Sequence, residues 1–211
     1  MSHISLPGSI SDRLRLPLIA APMFLVSGPD LVIAASRAGV IGSFPTANCR
    51  RLEELDDWLA RITQATLGIA PYAPNLIVHR SNQRLQNDVG LVAKHRAPLV
   101  IASVGSPAPI LDKIHAYGGL AFADIASMRH AERAITAGAD GLILLGAGAG
   151  GPRPQRFAGP RHDQRVGRHK SRQATKTLEG YLVRRAFRRR RSRYPRCGGI
   201  DRPAGRGVWN R

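Results

Sequence analysis

Several apolar runs in this chain end in residues that could bind or react, and those ends are where chemistry would be built. Ala21-Pro22-Met23 closes the first run, where proline removes a donor and leaves neighbouring backbone groups free to face a flat ring. Asn75, in Pro71-Tyr72-Ala73-Pro74-Asn75, offers an amide that both donates and accepts. Ser103-Val104-Gly105-Ser106 and Asp124 close two later runs. Gly146-Ala147-Gly148-Ala149-Gly150-Gly151 closes the last, and its alternating Gly and Ala let the backbone approach a ring or a phosphate closely. No Lys-Ser/Thr pair ends that loop, which disfavours a nucleotide-triphosphate P-loop. His79 is placed where it could act as a general base or donate to an anion. Each residue also has a plainer reading. Pro22 could simply end a strand, Asn75 could serve a turn, Asp124 could cap the next helix, and His79 could be a solvated loop histidine. His95, His115 and His130 fall on helical faces, and no histidine, cysteine and carboxylate cluster has metal-ligand spacing.

These positions matter because of the elements that must carry them. Six short apolar, β-branched runs follow one another: Leu18–Ala21, Val40–Phe44, Leu67–Ala70, Leu99–Ser103, Leu120–Asp124 and Gly141–Leu145. Each reads as a strand buried on both faces. Helical patterns lie between them over Pro29–Ala38, Leu52–Ile62, Gln83–His95, Pro107–Tyr117 and Met128–Ala137. In the first, Leu31, Ala34, Ala35 and Ala38 form one stripe; in the second, Leu52, Leu55, Leu59 and Ile62 do, with Glu53, Glu54, Asp56 and Asp57 turned to water. Gly39, Gly118 and Gly138 stand just past three helices, where a left-handed cap is wanted. Strict alternation of strand and helix predicts a parallel sheet with right-handed crossovers. A (β/α)8 barrel uses roughly 250 residues, so six units by Leu145 fit an incomplete TIM-barrel-like fold. A doubly wound open sheet is the alternative.

The charge is divided unevenly. The chain of 211 residues carries a net charge of +18, but residues 1–151 hold 13 Lys+Arg against 11 Asp+Glu, while residues 152–211 hold 19 against 3. The basicity therefore says nothing about partners of the first segment. Residues 152–211, with 17 arginines, have the low hydropathy and high charge of a disordered or irregular tail. Arg, Pro, Gly and Ala are also what a GC-rich reading frame yields out of register. The expectation is a 1–151 partial barrel, truncated and of doubtful activity, followed by a frameshifted stretch, with a genuine Arg-rich appendage as the alternative. As a polycation, that appendage would contact nucleic acid only non-specifically. The longest apolar runs are too short to span a bilayer, and Cys49 and Cys197 give no disulfide framework, so the expected setting is cytoplasmic, with no membrane partner.

Taken in order, LPLIAAPMFLVSGPDLV, AGVIGSFPTAN, NLIVHRSN and AGADGLILLGAGAGG resemble the nitronate monooxygenase family, also called the 2-nitropropane dioxygenase family, from about Leu14 to Gly151. The resemblance implies an FMN-dependent barrel that oxidises an alkyl nitronate or nitroalkane with O2 to a carbonyl compound and nitrite. It further implies that the backbone around Ala21, Pro22 and Met23 meets the flavin ring, that Asn75 hydrogen-bonds to it, and that the loop with Gly148, Gly150 and Gly151 lies beside it. Members typically continue the glycine motif with His or Gln, the His acting as base; here Pro152 holds that place and has no proton to move. An FMN-dependent enoyl reductase using NAD(P)H is the nearest enzymatic alternative. A non-enzymatic protein gripping nucleic acid through its tail is the other.

Overall fold

In the computed structural model, residues 6–146 are described. The glycine loop from residue 147, Pro152 and the whole of 152–211 lie outside them, so the readings placed there are carried no further structurally. The elements are α1 (Gly8–Ser11), β1 (Ile19–Ala20), α2 (Pro29–Arg37), β2 (Ile41–Pro45), a 3-10 turn (Thr46–Asn48), α3 (Leu52–Ala65), β3 (Tyr72–Ile77), α4 (Leu85–Lys94), β4 (Leu99–Ser103), α5 (Ala108–Ala116), β5 (Leu120–Ile125), α6 (Met128–Ala137) and β6 (Gly141–Leu144).

The six strands form one sheet in the order β1-β2-β3-β4-β5-β6, every pair parallel. A doubly wound sheet reverses its strand order at a switch point and carries helices on both faces. Here the order never reverses, and the two faces differ. One packs against the helices in a core that includes Phe44, Tyr72, Leu76, Val100 and Ala121 from the sheet with Val32, Leu55, Leu59, Ile62, Val89 and Ile114 from the helices. The other gathers Ile41, Ala73, Leu99, Ile101 and Phe122 from the strands around Ile10 of α1. The fold is thus an incomplete (β/α)8 barrel of six units, its strands alternating between a helix-covered outside and an inner face that α1 plugs at the N-terminal end. The short helix α1 carries no apolar period of its own, so periodicity does not reveal it.

Positive φ values of 83°, 85° and 104° at Gly39, Gly118 and Gly138 match the caps expected there. The buried stripe of α3 is Leu55, Leu59 and Ile62, and the acidic pair Glu53 and Glu54 sits in its first turn, where the helix dipole favours negative charge. Two expectations are corrected. The third strand is not Leu67–Ala70. The helix α3 continues a turn past Ile62, Leu67 is 74% exposed in the reversal that follows, Gly68 turns at φ 75°, and the strand begins at Tyr72. A proline inside the strand, Pro74, argues against a central strand on sequence grounds and hid this one. In α2 the buried face is Val32, Ile33 and Ser36, while Leu31 and Ala34 are exposed. Branched Val32 and Ile33 cover the sheet better than three alanines, and Ser36 Oγ donates to the Pro71 carbonyl at 3.5 Å.

The approach of α2 to β2 depends on a missing side chain. A Cβ on Gly42 would lie 2.3 Å from the Val32 carbonyl oxygen and 2.8 Å from its Cα, both backbone atoms that cannot step aside. Gly90, exposed in the middle of α4, has nothing within 4 Å of the same position. Gly42→Ala is therefore expected to destabilise the fold by about 1–3 kcal/mol through overpacking. Gly90→Ala is expected to stabilise it by about 0.5–1 kcal/mol through helix propensity. Urea unfolding of both variants against the parent checks the pair, and equal effects would refute the packing argument.

Candidate active site

Barrel enzymes place their chemistry at the C-terminal ends of the strands. On the inner face of this sheet those ends are polar. Alternation points Ile41 and Ser43 of β2 inward, Ala73 and Asn75 of β3, Ile101 and Ser103 of β4, and Phe122 and Asp124 of β5. A row of Ser43, Asn75, Ser103 and Asp124 thus follows Ile41, Ala73, Ile101 and Phe122, one inward step further along each strand, with register setting Asn75 beside Ile101 and Ser43 beside Ala73.

Asn75, Ser103 and Asp124 are joined by directed hydrogen bonds, and Ser43 is held separately. Ser43 Oγ donates to the Ala20 carbonyl at the end of β1. Asn75 is 7% exposed, and its Nδ2 donates to the Ile101 carbonyl at 3.2 Å and to Ser103 Oγ at 2.5 Å. A carbonyl can only accept, so the amide orientation is fixed and Oδ1 is left as a free acceptor on the inner face. Because Ser103 Oγ accepts from Asn75, its own proton is aimed at Asp124 Oδ2, 2.5 Å away. Burial pushes the Asp124 carboxyl above its ordinary pKa, and the Ser103 hydrogen bond opposes part of that rise. Asp124 does not cap α6: Ser127 does, accepting from the His130 amide. Nor is Asn75 a turn residue, since it sits within β3.

The segment Ala21-Pro22-Met23 leaves β1 and enters a loop at the same end of the sheet. Met23 uses its backbone groups inside that loop: its N–H donates to Ser27 Oγ at 3.0 Å, and its carbonyl accepts from the Ser27 amide and from Asn48 Nδ2. What this loop shows outward is apolar, with Phe24 64% and Leu25 77% exposed. Asn48 of the 3-10 turn staples it. Its Oδ1 accepts from the Leu25 amide at 2.9 Å, and its Nδ2 donates to the Met23 and Ser27 carbonyls at 3.1 and 2.8 Å. That bonding holds Leu25 at φ 62°, a region unfavourable to a leucine. Val104, next to Ser103, stands at φ 61° and is likewise exposed. His79 is exposed beyond β3 with its Nδ1 engaged by the Ser81 hydroxyl and amide, and these contacts do not bring it into the row.

Sequence reasoning missed Ser43 and Asn48. Ser43 was detectable as the inward neighbour two residues beyond Ile41; Asn48 acts through contacts across some 25 residues and left no local pattern. A surface cleft of about 360 Å³ lined by Asp30, Arg37, Arg61 and Gln64 lies between α2 and α3 on the helix side, away from the strand ends.

No family model matches the sequence, and no curated protein matches it. Solved structures do. The chain is similar to nitroalkane oxidase from Streptomyces ansochromogenes, with a TM-score of 0.60 and 20% identity over 68% of this chain and 50% of that one. It is similar to FabK from Thermotoga maritima, with a TM-score of 0.57 and 22% identity over 66% and 44%. It is also similar to the enoyl reductase domain of MlnA from Bacillus amyloliquefaciens, with a TM-score of 0.53 and 22% identity over 58% and 31%. At these identities the likeness establishes the shared fold, and the chain spans half or less of the length of each.

Two outcomes follow from the site's geometry. Asn48→Ala removes three hydrogen bonds from the loop and leaves backbone groups unpaired, so amide exchange across residues 23–27 is expected to rise and stability to fall by about 1–3 kcal/mol. Unchanged exchange there would show that the loop holds itself. Asp124→Asn is expected to raise the unfolding free energy at neutral pH. With the folded pKa above the unfolded one, wild-type stability falls as pH rises through that window, so the advantage of Asn shrinks on acidification. Urea melts across pH check the sign; an Asn variant less stable at neutral pH would contradict it.

Proposed function

We propose that this chain carries the flavin-facing part of an FMN-dependent oxidoreductase barrel of the nitronate monooxygenase type. Its substrates would be an alkyl nitronate or nitroalkane and O2, its products a carbonyl compound and nitrite. The observation that carries the reading is the inward row Asn75-Ser103-Asp124 at the strand ends, set over an apolar floor with one amide oxygen unused. The similarity to a nitroalkane oxidase barrel and the motif order from Leu14 to Gly151 support it.

The residues present fit such a ring. An isoalloxazine is flat, largely apolar and edged by an imide N–H and carbonyls. Asn75 Oδ1, fixed as an acceptor, suits the imide N–H, and the floor of Ile101 and Phe122 keeps water from beneath it. Met23 would meet the ring by van der Waals contact, because its amide and carbonyl are already used; Ala21 and Pro22 would do so beside it. Gly148, Gly150 and Gly151 are assigned to the cofactor on the resemblance alone. When bound, FMN would supply the two-electron acceptor, and the protein's part is to orient the substrate and tune the ring. Contact of residues 152–211 with nucleic acid, in this reading, is non-specific and lost in salt.

One observation favours a second reading, the similarity to an enoyl reductase domain. In that case NAD(P)H and an enoyl thioester would replace nitronate and O2. The two separate cleanly. The full chain, titrated with FMN, is expected to bind it, and Asn75→Ala to weaken binding about tenfold, the effect of one hydrogen bond of about 1.4 kcal/mol. With ethyl nitronate under air, nitrite and O2 consumption are expected. NADPH oxidation with an enoyl thioester and no nitrite would move the assignment to the reductase, and a chain that binds no FMN would refute both.

A further inference from the structure

Within the inward row, Asp124 is the group that can change charge, and its surroundings are those of a proton acceptor. One carboxylate oxygen, Oδ2, is held by the Ser103 hydroxyl, whose proton is steered there because Asn75 donates to the same oxygen. The other, Oδ1, makes no hydrogen bond to the described residues and is not sealed from the mouth of the barrel. The flanking strands add no charge. On one side β4 supplies Ser103; on the other, register sets Ile143 of β6 opposite Asp124. The helices α5 and α6 pack on the outer face, where Ala121, Ile110 and Ile114 share one apolar core and Ala137 packs against it.

We propose that Asp124 is a base that takes the α-proton from a neutral nitroalkane, so that the nitronate is made inside the site. This rests on the oxidoreductase reading for what happens next, but the proton transfer itself needs no flavin. The α C–H bond breaks, its electron pair moves onto the nitro group, and an O–H bond forms at Asp124 Oδ1. One negative charge enters the step on the carboxylate and one leaves it on the nitronate, so the apolar site never holds two. Ser103 is the positioning residue: it fixes the carboxylate plane through Oδ2 and keeps Oδ1 turned to the substrate. Burial raises the carboxyl pKa and so makes Asp124 a stronger base than a solvated carboxylate.

The test follows exchange of the α-hydrogens of nitroethane into D2O by NMR, using the full chain with and without added FMN under argon. Wild type is expected to exceed buffer, along an acidic limb lying above the ordinary carboxylate pKa of about 4. Asp124→Asn, checked for folding by circular dichroism, is expected to lose about 100-fold or more of that rate. Ser103→Ala is expected to keep exchange and move the limb to higher pH, because the hydrogen bond that favours the ionised form is gone. Exchange in Asp124→Asn as fast as wild type, or a limb that persists in that variant, overturns the proposal. Nitrite from ethyl nitronate reports on the reading separately. Nitrite with Asp124-independent exchange removes the base and leaves the oxidoreductase, whereas Asp124-dependent exchange without nitrite leaves the base and removes the oxidoreductase.

Discussion

The site depends on one constraint, that each parallel strand returns to its neighbour through a helix on the same side of the sheet. With the order β1 to β6 unbroken, the inner face receives no helix between strands among the described residues, and strand side chains and α1 fill it there. Alternation then decides every inward residue two at a time. Ile41, Ala73, Ile101 and Phe122 are large or small as the interior requires, and the next inward step on each of those strands is Ser43, Asn75, Ser103 or Asp124. A one-residue slip of any strand would bury its polar member among the helices. The close seat of α2 on Gly42 is one device that prevents such a slip at β2.

Much of this was legible in the sequence because it rests on local pattern. The strand β4 and the helix α6 fall where periodicity puts them, and the glycine caps at Gly39, Gly118 and Gly138 follow from chain geometry alone. Barrel against open sheet was not legible, since both alternate strand and helix; strand order, a property of pairing, decided it. The third strand was misplaced because Pro74 and Pro71 mask a strand that the sheet nonetheless incorporates beside Phe44. In the candidate site, Asn75 and Asp124 were visible as polar residues near strand ends, but their roles were not. Only the pairing of β3, β4 and β5 shows that Asn75, set beside Ile101, and Asp124, on the far side of β4, both reach Ser103. Asn48 was invisible because its three bonds reach back to a loop that no local rule connects to it.

The mouth of the barrel carries several locally unfavourable features. Leu25 and Val104 occupy left-handed backbone, Phe24 and Leu25 face water, and a carboxylate stands over hydrocarbon. Each opposes stability, and each is held by something specific: Leu25 by Asn48, and Asp124 by Ser103. Val104 precedes Gly105, where a Cβ would approach the Val78 carbonyl to 3.0 Å, so the chain turns sharply as it leaves β4. At the opposite end the polar groups are paired for structure. Asp140 accepts from the Ala121 amide and from His115, each at 2.8 Å, which anchors β6 to β5. Cys49 belongs with this second kind: buried, with its thiol pushed up to about 12, it has no thiolate to offer near neutrality.

Why the row should be three neutral groups and one acid is a question of charge on a part-buried face. A second carboxylate would drive one of the two to stay protonated, and a lysine or arginine would pull Asp124 down and make it a poor base. Hydroxyl and amide donors adjust more gently. The Ser103 hydrogen bond lowers the Asp124 pKa against the rise that burial imposes, and Asn75 fixes the direction of that bond without adding charge. The same logic ties Asp124 to Asn75. Asn75 uses Nδ2 to order Ser103 and therefore presents Oδ1 to whatever lies over the floor, so one side chain orients both the proton acceptor and the surface it faces. Losing Asn75 would free the Ser103 hydroxyl to rotate away from Asp124, and the acid would then respond to burial alone.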